Sequence, residues 1–328
     1  MKIALFGAGR IGKVHAVTIA TNPQVDLVGV VDVYAPAAKA LADKYKAKVL
    51  TEEEVLSDET VDAILICTAT DTHADLIEKG ARAGKAIFCE KPIDLNVERV
   101  EECLTVVKEH GAKLFVGFNR RFDRNFGALK ETLDAGDVGQ LELLTISSRD
   151  PAPPPIDYIN VSGGLFKDMM IHDLDMACWL VGETPVRISA HGSTLVDDAI
   201  GEAGDIDTAV ATLEFTNGAL AVITNSRRAS YGYDQRIEVH GSLGMLQAEN
   251  VLENTLVKSN AEGVTAQKPM HFFLERYADA YKAELEAFVK SVNEGIEPEP
   301  NGYDGKRALV LAEAAQRALE TGQTQVLT

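Results

Sequence analysis

The sequence is short of positive charge, of cysteine and of long apolar runs, and each shortage excludes something. Lys and Arg number 32 against 50 Asp and Glu, a formal net charge of -18. So acidic a surface repels phosphate backbones, which argues against a nucleic-acid partner. A dinucleotide is not excluded, because its two phosphates need only one local helix N-terminus. The four cysteines (Cys67, Cys89, Cys103, Cys178) are scattered, with no C-x-x-C, and are expected to be free, mostly buried thiols in a reducing compartment. The seven His are dispersed, so no metal site is expected. No apolar run approaches the roughly 20 residues of a membrane helix. The few apolar residues between Lys2 and Gly7 are too short for a signal-peptide core. The expectation is a cytoplasmic protein with no membrane partner.

What is present suits two domains in 328 residues. The first part alternates apolar strand runs (Lys2–Phe6, Val25–Asp32, Ala63–Cys67, Ala86–Cys89, Lys113–Gly117) with helical patterns (Ile11–Thr21, Ala35–Tyr45, Thr72–Ala83, Val97–His110). That alternation predicts a doubly wound α/β domain with a parallel sheet over residues 1–118. From residue 119 the pattern changes. Helices are predicted at Phe122–Ala135 and Leu165–Leu180, with an ordered Pro-rich loop at Pro151–Pro155. Strand runs then follow at Val186–Ser193, Thr208–Phe215, Ala219–Ser226, Arg236–Gly241, Met245–Glu249 and Asn254–Lys258, split by short turn signals. Two helical patterns, Phe273–Glu294 and Gly305–Thr321, close the chain. Residues 119–328 are thus expected to form an α+β domain with a large, mainly antiparallel open sheet flanked by helices. The last helix is allowed to pack back on the first domain.

Gly7-Ala8-Gly9-Arg10-Ile11-Gly12 is a G-x-G-x-x-G between a strand and a helix. The first Gly permits the tight turn, the second lets the backbone approach a pyrophosphate, and the third lets helix and strand pack closely. Asp32 ends the next strand about 20 residues after Gly12, where a carboxylate accepts hydrogen bonds from ribose hydroxyls. Val33 and Tyr34 follow, with no Arg to hold a 2′-phosphate. The predicted cofactor is therefore NAD rather than NADP.

Two further segments carry chemistry. Cys89-Glu90-Lys91-Pro92 follows a parallel strand, at the sheet end where ligands bind. Pro92 restricts Lys91 and permits a cis peptide. Gly163-Gly164-Leu165-Phe166-Lys167-Asp168-Met169-Met170-Ile171-His172-Asp173 places a carboxylate and an imidazole four residues apart. In an α-helix they would share a face. The pairing suits an acid/base His with a carboxylate to orient it. Asp173 and Asp175 are expected to be solvated or capping. Met169, Met170, Met176 and Trp179 are expected in the core.

Taken with the Gly loop and Asp32, these segments resemble the Gfo/Idh/MocA family of sugar and polyol dehydrogenases over essentially the whole chain. Gly117–Asp123, Ser148–Pro151, Ser162–Ala177 and Asn225–Arg236 are similar to one bacterial branch that oxidises a ring hydroxyl of myo-inositol to the 2-keto inositol with NAD. The resemblance implies His172 as the catalytic base, Lys91 as the substrate-orienting lysine and Asp168 as their partner carboxylate. It implies substrate contacts at Asn119, Arg121 and Tyr233 as well. Cofactor contacts are expected at Gly7, Gly9, Arg10, Ile11, Gly12 and Asp32, and at Thr68, Thr70, His73, Glu90 and Lys91. The site would be completed by residues of both domains, and the resemblance implies a homotetramer. Ala69 stands where many relatives carry Pro, which alters a loop but removes no reactive side chain. The alternatives are a dehydrogenase of another polyol or sugar (scyllo-inositol, chiro-inositol, glucose), an NAD-sensing module that kept the fold, or an NAD-assisted lyase or glycosidase.

Overall fold

A computed structural model describes residues 1–327, which divide into two units: residues 1–122 with 280–309, and residues 123–279 with 310–327. The first unit contains a six-stranded sheet built from β1 (Lys2–Phe6), β2 (Asp26–Val31), β3 (Lys48–Val49), β4 (Ala63–Ile66), β5 (Ala86–Glu90) and β6 (Leu114–Gly117). The order is β3-β2-β1-β4-β5-β6 and every pairing is parallel. β1 and β4 are buried almost throughout, as strands covered by helices on both faces must be. The chain order reverses beside β1, the switch point where doubly wound sheets take their ligands.

Residues 280–309 belong to this first unit, although the sequence reading ended the domain at 118. The reason is apolar spacing. Leu285, Phe288 and Val289 lie on one stripe of the helix Ala278–Glu294 and join the core of Ile3, Leu5, Phe88 and Phe115. Phe288 meets Phe88 edge-on at 5.7 Å between centroids, and Phe88 stacks on Phe115 at 5.0 Å.

The second unit holds a seven-stranded sheet. Its strands are β7 (Leu141–Arg149), β8 (Pro185–Ser193), β9 (Thr208–Phe215), β10 (Leu220–Ser226), β11 (Asp234–Gly241), β12 (Gly244–Ala248) and, near the C-terminus, Gln325–Val326. The order is β12-β11-β7-β10-β9-β8 and then the C-terminal strand. All pairs are antiparallel except β7 with β10. Burial alternates along β9 and β10: Ala209, Ala211, Leu213 and Phe215 point inward, while Val210 and Leu220 are exposed. Asn254–Lys258, predicted as a strand, pairs only at its last residue; a short hairpin joins Lys258–Asn260 to Gly263–Thr265. The pattern predicted as one helix from Phe273 to Glu294 breaks at Tyr277 into Phe273–Arg276 and Ala278–Glu294.

Candidate active site

In the first unit the Gly loop connects β1 to the helix Arg10–Thr21. Gly7 has φ +95°, and a Cβ there would collide with the Cys67 carbonyl. A Cβ on Gly12 would collide with the Gly7 carbonyl. Gly9 differs: no described atom lies within 4 Å of its missing Cβ. The protein itself does not demand glycine there, so the open face fits close approach of a diphosphate. Gly9 also caps the helix without a side-chain hydrogen bond, leaving first-turn amides available to an anion. Arg10 is exposed and Ile11 half-buried beside it. Asp32 accepts hydrogen bonds from the amides of Ala8 (2.6 Å) and Tyr34 (2.7 Å), which fixes its carboxylate beside the loop. Val33 and Tyr34 are exposed.

The ends of β4 and β5 are tied together from behind. His73 is buried, with Nδ1 2.8 Å from the Pro92 carbonyl and Nε2 3.1 Å from the Thr68 carbonyl. The Thr72 hydroxyl donates to Thr68 Oγ1 at 2.6 Å, and Thr70 opens the short 3-10 turn between them. His73 thus braces the loops that carry Thr68 and Lys91. The Lys91–Pro92 peptide is cis. Glu90 accepts from His15 on the Gly-loop helix, Nε2 to Oε1 2.7 Å, and the buried Glu284 lies 3.9 Å from the same nitrogen. The three side chains converge closely enough to suggest a cation site. However, two ligands on one small cation sit about 3.3 Å apart at bond lengths near 2 Å, so the 2.7 Å contact is a hydrogen bond. Asn119 and Arg121 are buried in the 3-10 turn after β6, and Arg121 Nη2 lies 3.1 Å from the Asp304 carboxylate.

In the second unit the Pro-rich loop leads into the helix Ile156–Ser162. Gly163 and Gly164 both adopt φ +83°, and residues Phe166–Met170 then form a π-turn that runs into the helix Ile171–Val181. The sequence predicted one regular helix here. Such turns hold an extra residue and occur frequently at functional sites. Asp168 lies inside the π-turn. Its Oδ1 accepts from the Tyr158 hydroxyl at 2.8 Å, and its Oδ2 lies 3.3 Å from Arg227 Nη1. His172, half-buried, occupies the first turn of the following helix. Tyr233 is buried in the same unit, its ring edge-on to Tyr277 at 5.9 Å.

Asp173 and Asp175 are not solvated; both are buried. Asp173 accepts from Ser148 Oγ (2.6 Å) and Asn225 Nδ2 (2.8 Å), partners on β7 and β10. It therefore anchors the His172 helix to the sheet, a task set by strands far away in sequence. Arg227, Tyr158 and Glu284 were missed as well. Arg227 stands in one of the strings that carried the resemblance, but a residue buried behind another leaves no local signature.

Two family models match this architecture. One, an oxidoreductase family with an NAD-binding Rossmann fold, covers residues 1–118; the other, a GFO/IDH/MocA C-terminal domain, covers residues 126–247. An inositol 2-dehydrogenase of Rhizobium meliloti strain 1021 is 52% identical over 320 residues, spanning 97% of each chain. The chain belongs to the Gfo/Idh/MocA oxidoreductase family. Another family member, a myo-inositol 2-dehydrogenase of Thermotoga maritima, is 48% identical over 322 residues, 98% of this chain and 96% of that one. A solved structure described as a putative myo-inositol dehydrogenase from Sinorhizobium meliloti 1021 superposes with a TM-score of 0.98 at 50% identity, covering 100% of both chains. The first unit of this Gfo/Idh/MocA protein is accordingly an NAD-binding Rossmann fold. No helix among the described residues is long and apolar enough to cross a membrane.

Proposed function

We propose that this protein is an NAD-dependent inositol 2-dehydrogenase that oxidises myo-inositol to the 2-keto inositol. The observation that carries the reading is the full-length match to an inositol 2-dehydrogenase at 52% identity. NAD, when bound, would supply the acceptor for the hydride of the carbinol carbon. Gly7, Gly9, Arg10, Ile11 and Gly12 would hold its phosphates, and Asp32 its adenosine ribose. His172 takes the hydroxyl proton as general base. Lys91 offers a positive charge to the developing alkoxide. Asp168 accepts a hydrogen bond from the base or from a ring hydroxyl, while Asn119, Arg121 and Tyr233 complete the set of candidate substrate contacts. Thr68, Thr70, His73 and Glu90 support the cofactor loops. The experiment is direct: a panel of inositol isomers and hexoses is offered with NAD and the absorbance of NADH followed. Fastest turnover with myo-inositol supports the proposal. Faster turnover with scyllo-inositol, chiro-inositol or glucose replaces the substrate, and no NADH with any polyol removes the dehydrogenase reading.

We propose further that the protein is a cytoplasmic homotetramer; the sheet of the second unit supports the self-association. Leu143, Val210, Leu220 and Met245 are exposed on its strands, and an open, partly apolar face favours self-association. Light scattering at the monomer mass of 35.4 kDa would remove that part.

A further inference from the structure

We infer that Arg227 is a positioning residue for the base motif: from the buried side it holds Asp168, and with it the π-turn that leads to His172, in working geometry. The inference rests on the dehydrogenase reading for its kinetic consequences but not for its structural ones. Arg227 follows β10 immediately, and its amide donates to the Asp207 carbonyl at 2.8 Å. Its side chain is 1% exposed, too buried to meet a solute. Two carboxylates face the guanidinium: Asp168 at 3.3 Å from Nη1 and Asp205 at 3.6 Å from Nη2. Nε and Nη2 find no hydrogen-bond partner among the described residues. Replacing a whole buried ion pair by apolar groups is often neutral, so net stability alone does not account for a cation buried here with unmet donors. Its placement is better explained by what it touches.

Both carboxylates act on one segment. Asp205 Oδ1 accepts from the Leu165 amide at 3.0 Å. A Cβ on Gly164 would come within 2.9 Å of that oxygen, so only glycine permits the approach. Asp205 therefore pins the backbone just before the π-turn, and Asp168 lies within it. Arg227 bridges the two and couples the beginning of the turn to its functional carboxylate. Tyr158 donates to the other Asp168 oxygen from the solvent side, its own residue 47% exposed. Donors at both oxygens fix the plane of the carboxylate, which decides where its remaining lone pairs point.

The test is a double-mutant cycle between Arg227→Met and Asp168→Asn, read as kcat and KM for myo-inositol and as NADH affinity by fluorescence. Arg227→Met is expected to lower kcat/KM for the polyol about 100-fold, the loss typical of a misplaced reacting group, with NADH affinity unchanged. Arg227→Lys keeps the charge without the fork and is expected to recover part of the loss. In the Asp168→Asn background, Arg227→Met is expected to add less than about twofold, the mark of two residues acting as one. Fully additive losses, or wild-type kinetics in Arg227→Met, overturn the inference. If Arg227→Met does not fold, Arg227→Lys is carried through the same cycle with the same criteria. If wild-type protein makes no NADH from any polyol, only the functional reading falls. The crystal structure of the Arg227 variant then decides: a displaced Asp168 or a regular α-turn at 166–170 supports the inference, and an unchanged Asp168 overturns it.

Discussion

His15 Nε2 lies 2.7 Å from Glu90 Oε1, and the wholly buried carboxyl of Glu284 lies 3.9 Å from the same nitrogen. Neither Glu284 oxygen has a hydrogen-bond partner among the described residues. Burial, and then the negative charge of Glu90, push the Glu284 carboxyl well above the usual carboxylate range. The folded chain therefore retains a proton that the unfolded chain releases above about pH 4.3. The folded state binds more protons, so stability falls as pH rises through that window, by at most about 1.4 kcal/mol per pH unit. Glu284→Gln removes this dependence. Its Tm is expected to match wild type near pH 4 and to exceed it by a growing margin toward pH 8. A difference that stays constant over that range would refute the buried neutral acid.

Asp234 has the opposite sign. Burial alone would raise its carboxyl, but hydrogen bonds from Arg236 (2.7 Å), Tyr231 (2.5 Å), Asn250 (2.7 Å) and Arg149 (2.5 Å) outweigh it and hold it well below the ordinary range. Its stabilisation is complete above about pH 4 and is lost as pH falls toward the depressed folded value. Asp234→Asn is expected to cost about 3 kcal/mol at neutral pH, by urea titration, with the deficit shrinking below pH 4. An equal deficit at pH 7 and pH 2.5 would remove ionisation from the account.

The proposed role of Asp32 makes it and its exposed neighbour Val33 the place to test cofactor choice. Asp32→Ser with Val33→Arg removes the carboxylate and supplies a cation for a 2′-phosphate. One charge-assisted hydrogen bond contributes about 1.5–3 kcal/mol. The ratio of kcat/KM for NAD over NADP is therefore expected to fall roughly 10- to 100-fold. Wild type that already prefers NADP would sink the assignment of Asp32.

For the base, His172→Ala is expected to lower kcat about 10²- to 10⁴-fold while leaving NADH affinity intact. Lys91→Met should lower kcat too, because a cation beside a developing alkoxide acts mainly in the transition state. Near wild-type turnover in His172→Ala would take the base role from it.

Much of the cofactor region was legible because its logic is local. Gly7, Gly9 and Gly12 sit within one turn, and Asp32 ends the very next strand. The second unit hid its logic in long-range pairings. Asp173 looked like a solvated acid because Ser148 and Asn225, which bury it, come from two distant strands. Asp205 and Arg227 reach the π-turn from distant positions in the chain, and apolar spacing alone predicts a regular helix there. Helix Ala278–Glu294 was visible as a helix, yet only the packing of Leu285, Phe288 and Val289 on Phe88 and Phe115 assigns it to the first unit.

β7 is the first strand of its sheet to leave the ribosome, and both its neighbours come later. Ser147 meets Thr224 across 77 residues of chain, and Arg149 meets Asp234 across 85. Neither edge of β7 can close by a hairpin. During synthesis at about 5–20 residues per second, the strand waits several seconds with both hydrogen-bonding edges open. Long-range pairing of this kind folds slowly and invites intermolecular strand addition. Overproduced chain is thus expected to aggregate through residues 141–149, and slower translation or a chaperone that shields that strand is the remedy to try first.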